Sequence, residues 1–323
     1  MAGLTLSVVI VTYNREQVLL DTIDSLLPQA RACAGFDELI IVDQTARHEA
    51  ATHDALTRWH ANGAIRWLRL PAPDLTGAMN RGLLEARSDL VLYLDDDIIP
   101  APGLLSGHLA AHAERAPWVV AGQVLQPGQV AETVPYAPRG GTLRRYMDFP
   151  FRGTEGAFIE NVMAGNMSVR RDRALALGGF DENYRPPVAS RFESEFAKRL
   201  VAAGGTIWFA PGASIRHLQV SSGGTRSRGT HLASADPCFG VGDYYFALRH
   251  GRGRERMFYV LRKPFREVRT RFHLRHPWWI PVKLVGEARA FAQALALVRR
   301  APSLLAPAAI EGRPAKREGI PGC

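Results

Sequence analysis

The sequence predicts an α/β fold: a mostly parallel sheet flanked by helices, with a basic helical appendage at the C-terminus. Three observations carry the core of this prediction. Short β-branched runs alternate with stretches of helical spacing over the first hundred residues. The connections between them are short, and three of the four apolar runs give way to polar residues at their C-terminal ends. With 323 residues, 46% of them hydrophobic, the chain is long enough to bury a sizeable core.

The elements follow in order. Leu6 to Thr12 reads as a buried strand opening into Tyr13-Asn14-Arg15. Val18, Leu19, Thr22, Ile23, Leu26 and Leu27 recur at helical spacing. Glu38 to Val42 is a second strand ending at Asp43, His48 to His60 a helix, and Ile65 to Leu70 a third strand. Pro71-Ala-Pro73 breaks the chain, a helix opens at Thr76 or Gly77 and runs to Ala86, and Asp89 to Leu94 is a fourth strand. In such sheets ligands bind beyond the C-terminal ends of the strands. Thr12 to Arg15, Asp43 and Asp95 to Asp97 therefore converge on one edge.

The stretch from about Gly122 to Gly165 is rich in Gly and Pro and yields no assignment. Met167 to Leu177 reads as a strand leading into a helix, and Gly178 to Glu182 as a turn. Phe192 to Ala203 is a helix stopped by Gly204-Gly205; Thr206 to Ala210 is a strand ended by Pro211-Gly212, with a further strand closing on Arg216. Gly223 to Gly229 reads as a mobile loop.

Asp95-Asp96-Asp97 follows an apolar strand directly. Adjacent carboxylates repel, and a bound cation relieves the cost. In an extended segment the first and third side chains share a side, so Asp95 and Asp97 face one site, and hard oxygen ligands select Mg²⁺ or Mn²⁺.

Read together, Thr12-Tyr-Asn-Arg15, Val42-Asp43, Asn80-Arg-Gly82, Leu94-Asp-Asp-Asp97, Gly165-Asn166 through Arg171, Gly178-Gly-Phe-Asp-Glu182 and Phe192 through Arg199 resemble, in this order, the family two glycosyltransferases with the GT-A fold. Pro211 and His217 extend the likeness, which covers about Leu6 to Arg226. The resemblance implies a metal-dependent, inverting transfer of a sugar from a nucleoside-diphosphate sugar to a glycan or lipid-linked acceptor. UDP or dTDP is the preferred nucleotide and GDP an alternative. Thr12, Tyr13, Asn14 and Asp43 would hold base and ribose, with Arg15 beside them. Asp43 suits an imide N–H because a carboxylate accepts what the base donates. Gln44-Thr45-Ala46 departs from the usual continuation and leaves the base open. Asn80, Arg81, Asp95 and Asp96 belong to the donor side, Gly165 and Asn166 to the acceptor or sugar side, and His217 joins Asp95 and Asp97 at the metal. Arg226, in the Gly-rich loop, can meet a diphosphate. The family's catalytic base lies near the start of the Phe192 helix. Alignment through Arg199 gives Glu193, with Glu195 as the rival; about 200° separates the two on a helix, so one alone faces the cleft.

The net charge of +9 is uneven. Residues 249–323 carry 17 Lys and Arg against 5 Asp and Glu, whereas residues 1–248 sum to −3. Basic residues interleaved with Phe258, Phe265, Trp278 and Trp279 suit an anionic bilayer surface, and helices that pack on the core with solvated arginines suit the same pattern. A nucleic-acid partner is not expected, since no recognition motif appears and the Asp triplet would go unexplained. A non-catalytic sugar-binding relative is the alternative within the fold. The expected organisation is a catalytic domain over 1–240, a basic amphipathic extension over 241–301 and a disordered tail over 302–323. The three scattered cysteines, the lack of a basic n-region before Ser7 and the lack of any run of 18 apolar residues suit a cytoplasmic protein, at most peripheral to the membrane.

Overall fold

The structure, a computed structural model, describes residues 3–134, 143, 149–186, 188, 190–224 and 230–311. Its first third follows the expected alternation. The strands β1 (Leu6–Thr12), β2 (Phe36–Asp43), β3 (Arg66–Arg69) and β4 (Leu90–Leu94) are separated by α1 (Gln17–Ala32), α2 (Ala50–Ala61) and α3 (Leu75–Glu85). β1 lies between β2 and β4, β2 also pairs with β3, and all three pairings are parallel. Helices cover both faces, so β4 is buried at every position and its sequence shows no alternation. α1 buries Leu19, Ile23, Leu26 and Leu27, the stripe seen in the sequence. α3 starts at Leu75 because Asp74 caps it, accepting from the Gly77 N–H at 3.1 Å.

Beyond β4 the sheet becomes mixed. β5 (Ile98–Pro100), α4 (Leu104–Arg115), β6 (Val119–Leu125), β7 (Ala157–Ile159), β8 (Asn166–Arg170), α5 (Arg171–Ala176), α6 (Phe192–Ala202) and β9 (Ile207–His217) complete the core. The strand order is β3-β2-β1-β4-β8-β6-β9-β5, with β7 on β9. β8 runs antiparallel to both β4 and β6, while β6 and β9 are parallel. Parallel pairing therefore holds over the β3-to-β4 half and gives way at β8.

The Gly-rich middle conceals β6. Gly122 lies inside that strand because a Cβ there would run into the Asn166 amide and the Ala213 carbonyl. The two strands expected around Pro211-Gly212 are one. The register on β6 jumps from Ala210 opposite Gly122 to Ser214 opposite Gln123, so residues 211–213 bulge and β9 continues to His217.

Four helices, α7 (Cys238–His250), α8 (Gly253–Val268), α9 (Arg271–Arg275) and α10 (Trp279–Val298), follow, with a short α11 (Pro307–Glu311). Tyr244, Tyr245 and Phe246 of α7 and Ala290 and Ala294 of α10 join the buried core. α7 approaches so closely that a Cβ on Gly242 would strike the Ser190 carbonyl. The expected tail is anchored at its start: Glu182 N–H donates to Ser303 O and Leu305 N–H to Gly178 O, both at 2.9 Å. Residues 312–323 lie outside the described ones. Among the described residues no helix is long and apolar enough to cross a membrane.

Candidate active site

The edge formed by β1, β4, β9 and the start of α6 encloses a cleft of about 570 Å³. β4 ends at Leu94 and delivers the acidic triplet to its floor. The antiparallel register sets Ile98 opposite His217 and Leu94 opposite Asn166. His217 therefore lands beside Asp97, and Gly165 beside Asp95. Asp95 N–H donates to Gly165 O at 3.2 Å, and a Cβ at 165 would run into the Asp95 carboxylate.

The three carboxylates differ in environment. Asp96 points inward, accepting from Thr12 Oγ1 at 2.8 Å and Arg15 Nε at 3.2 Å. Burial pushes its carboxyl up to about 7, although Arg15 and Thr12 pull the other way. Asp97 accepts from Arg15 Nη2 at 3.2 Å and Val220 N at 2.9 Å. Burial would raise it too, but His217 and Arg15 outweigh burial and lower it. Arg15 is itself buried and also donates to the carbonyls of Val220 and Ser222, stapling that loop to the triplet.

His217 Nε2 lies 3.1 Å from Asp97 Oδ1 and 3.6 Å from Asp95 Oδ2. One donor atom from each of these residues falls within 4.8 Å of the others. On the far side of the ring, Nδ1 lies 3.0 Å from Gln126 Oε1, a contact that fixes the orientation of the ring. Nε2 is thereby turned towards the two carboxylates. The donor set fits a divalent ion.

Glu193 sits in the first turn of α6 and lines the same cleft. Its Oε2 is buried and has no hydrogen-bond partner among the described residues, and burial raises its carboxyl above the ordinary range. Glu195 is bound elsewhere. It accepts from Arg199 Nε at 2.6 Å and Nη2 at 2.9 Å, and Arg199 in turn donates to Leu177 O and Gly179 O. Arg199 and His250 lower the Glu195 carboxyl against the effect of its burial. One acid thus ties α6 to the Gly178 turn, and the other is left open to the cleft.

Other residues singled out in the sequence lie off the cleft. Asp43 is fully buried: Oδ1 accepts from Thr45 N, and Oδ2 from Trp67 Nε1 at 2.9 Å with His48 Nε2 at 2.8 Å. Burial would raise its carboxyl, but His48, Thr45 and Trp67 lower it. Thr45 Oγ1 then accepts from Asn14 N, so Asp43 steadies the loop after β1 from behind. Asn80 donates to Phe180 O and Glu182 Oε1. Arg81 pairs with Glu85 across one helical turn. Asn166 donates to Gln123 O and Ala213 O and meets His108, knitting β8 to β6, β9 and α4. Arg226 lies outside the described residues. Thr12, Tyr13 and Arg15 line the cleft as expected; Gln44, Gln126 and Tyr184 line it without having been singled out.

Comparison with known proteins adds the following. The family model described as glycosyl transferase family 2 matches residues 7–175. No curated protein sequence matches the chain. Among solved structures it is similar to GalNAc-T7 with UDP, GalNAc and Mn²⁺, at 18% identity and a TM-score of 0.55, over 76% of this chain and 50% of that one. It is also similar to the mannosyltransferase PcManGT from Pyrobaculum calidifontis with GDP-Man and Mn²⁺, at 19% identity and a TM-score of 0.53, over 93% of this chain and 79% of that one. The chain thus spans half the length of GalNAc-T7. These likenesses show the GT-A fold.

Proposed function

The chain belongs to glycosyl transferase family 2, and we propose that it transfers one sugar from a nucleoside-diphosphate sugar to a hydroxyl of a glycan or lipid-linked acceptor, with inversion at the anomeric carbon. One observation carries the reading: a cation-fitting Asp95–Asp97–His217 group and a Glu193 carboxylate with one oxygen left without a hydrogen-bond partner share a single cleft.

Asp95, Asp97 and His217 would hold Mn²⁺ or Mg²⁺, with Gln126 orienting the imidazole. Such an ion supplies neutralisation of charge on the leaving diphosphate. Arg15 keeps Asp96 and Asp97 in position and brings the 220–222 loop with them. Glu193 takes the proton from the acceptor hydroxyl as that oxygen attacks the anomeric carbon. The bond to the diphosphate breaks with its electron pair, and one displacement inverts the centre.

The base is assigned to Gln44 rather than to Asp43. Gln44 Nε2 donates to Asp74 O at 2.7 Å, which leaves Oε1 as an acceptor for the imide N–H of uracil or thymine. UDP- and dTDP-sugars are the preferred donors and GDP-sugars the alternative, since a guanine N1–H can donate to the same oxygen. GalNAc-T7 was solved with UDP and the mannosyltransferase with GDP-Man, so the fold accommodates either.

A thermal-shift screen of UDP-, dTDP- and GDP-sugars with Mn²⁺ or Mg²⁺ tests this, since ligand binding to the native state raises its melting temperature. The expected result is a rise that requires donor and ion together and is largest for a uracil or thymine base. No rise with any donor in either ion would overturn the reading.

A further inference from the structure

Helix α8 packs Tyr259 and Val260 against the core, yet its most buried residue is a charged one. A helix on a soluble domain turns apolar residues inward and charges outward. α8 turns Lys263 inward, 1% exposed, where it pairs with Asp243 at 3.0 Å, Glu267 at 3.2 Å and Glu287 at 3.6 Å. Outward it presents Met257, Phe258, Leu261 and Phe265, from 42% to 68% exposed, at spacings that form one stripe. Leu274 of α9, Trp278 just before α10 and Val285 of α10 are also exposed. Of the twelve large apolar side chains exposed among the described residues, eight fall between 257 and 285. An apolar surface so concentrated marks an interaction site.

The charge around the stripe is of one sign. Arg254 and Arg262 lie over the Phe258 ring at 5.8 and 5.4 Å, and Arg266 over Tyr259 at 5.5 Å. Both acidic residues of the stretch 252–285 are engaged with the protein: Glu255 accepts from Leu143 N at 2.7 Å, and Glu267 pairs with Lys263 and Lys283. A second copy of the chain would bring the same positive rim and repel it.

We propose that α8, with α9 and the start of α10, docks on an anionic lipid bilayer. The Phe and Leu side chains enter the acyl boundary, and the arginines reach the headgroup phosphates. The inner side of α8 lies close to the cleft: Lys263 pairs with Asp243, and Asp243 with Arg191 at 2.6 Å, two residues before Glu193. A membrane-held acceptor would then meet the enzyme beside its base. That last consequence rests on the transfer reading; the docking itself does not.

Flotation of the full chain with phosphatidylcholine vesicles, with and without phosphatidylglycerol, tests the proposal. The chain is expected to float with the anionic vesicles alone and to be released as salt rises, because exposed charges are screened over about 8 Å at physiological ionic strength. The triple variant F258S/L261S/F265S should bind roughly tenfold more weakly or worse. Arg262→Ser should cost about fivefold. Both variants should keep the nucleotide-sugar thermal shift of the parent. No flotation, equal binding to neutral vesicles, or equal binding by the triple variant would overturn the proposal. So would a parent chain that sediments as a dimer and a triple variant that sediments as a monomer, which would assign the face to a second copy. Vesicle binding without any donor-induced thermal shift would sink the transfer reading and leave the docking standing.

Discussion

Two clusters of buried charge flank the start of α6, and their composition differs. The first holds Asp95, Asp96 and Asp97 against Arg15 and His217 and opens to the cleft. The second holds Asp243, Glu267 and Glu287 against Arg191, Lys263 and Lys283 and is closed beneath α8 and α10. The second matches acid with base in equal number and needs nothing further. The first carries an excess of acid at a cavity, which leaves a cation to be supplied. Asp243 and Asp96 register the contrast. Burial acts on both, yet Lys263 and Arg191 hold Asp243 down to about 2, while Asp96 is left at about 7.

The largest effect should come from the acid that belongs to neither cluster. Glu193→Gln is expected to lower transfer by roughly 10²–10⁴ at saturating donor, the usual worth of a positioned base, with donor binding retained. Glu195→Gln should instead destabilise the fold by about 3–5 kcal/mol, because it leaves the Arg199 charge unpaired, and should spare turnover in whatever stays folded. Single-turnover rates and denaturant titrations on both variants separate the two roles. The reverse pattern would move the base to Glu195.

Removing a carboxylate from each cluster tests the comparison directly. Asp95→Asn should cut transfer by roughly 10²–10³ and abolish ion-dependent donor binding. Its stability should hardly change, since Asp95 is partly exposed. Asp243→Asn should do the opposite: about 3–5 kcal/mol of stability lost as Arg191 loses its carboxylate partner and Lys263 one of three. If both variants lose stability alike, the contrast between an open and a closed cluster fails.

Smaller effects refine the picture. Gly165→Ala forces the Asp95 carboxylate aside and should weaken ion affinity by roughly 10–100-fold, read by titration with Mn²⁺. Acid sensitivity should differ as well. The Asp243 carboxyl lies below its unfolded value, so its contribution is present above about pH 4 and is lost as the pH falls towards about 2, a change of about 2 kcal/mol. Asp243→Asn should flatten that limb of the stability profile. Glu193 is raised instead, and a base must be ionised to act. Transfer should therefore fall off with acid at a higher pH than an exposed glutamate would give.

The first half of the fold was legible because parallel strands buried on both faces leave near-continuous apolar runs, and β1, β4 and the Leu39–Val42 part of β2 are such runs. The second half was less so. β6 contains Gly122, β9 contains Pro211-Gly212, and both breakers are there for close packing or a bulge rather than to end a strand. In the cleft, the triplet could be read from residue type and position, and His217 only through the family resemblance. What sequence could not give was the direction of each side chain. Asp43 ends its strand as expected, but His48 and Trp67 capture its carboxylate from residues far enough along to escape a local motif. Gln44, one position on and therefore on the other face of the strand, lines the cleft instead. The pattern of α8 is visible in sequence as amphipathicity; which side faces out depends on Asp243 and Glu287, in two other helices.

Arg191 adopts a left-handed backbone conformation with φ of 74°, at the position just before α6, with no side-chain cap on that helix. It is held there by an aspartate more than fifty residues away, which is held in turn by Lys263. Positions 191, 243 and 263 therefore form a single heritable unit. A change at any one alters the fit of the other two, and related chains should drift at all three together or at none. The same tie limits engineering. Exchanging the C-terminal helices with those of another enzyme, to send the activity to a different surface, would have to carry residue 191 along with them.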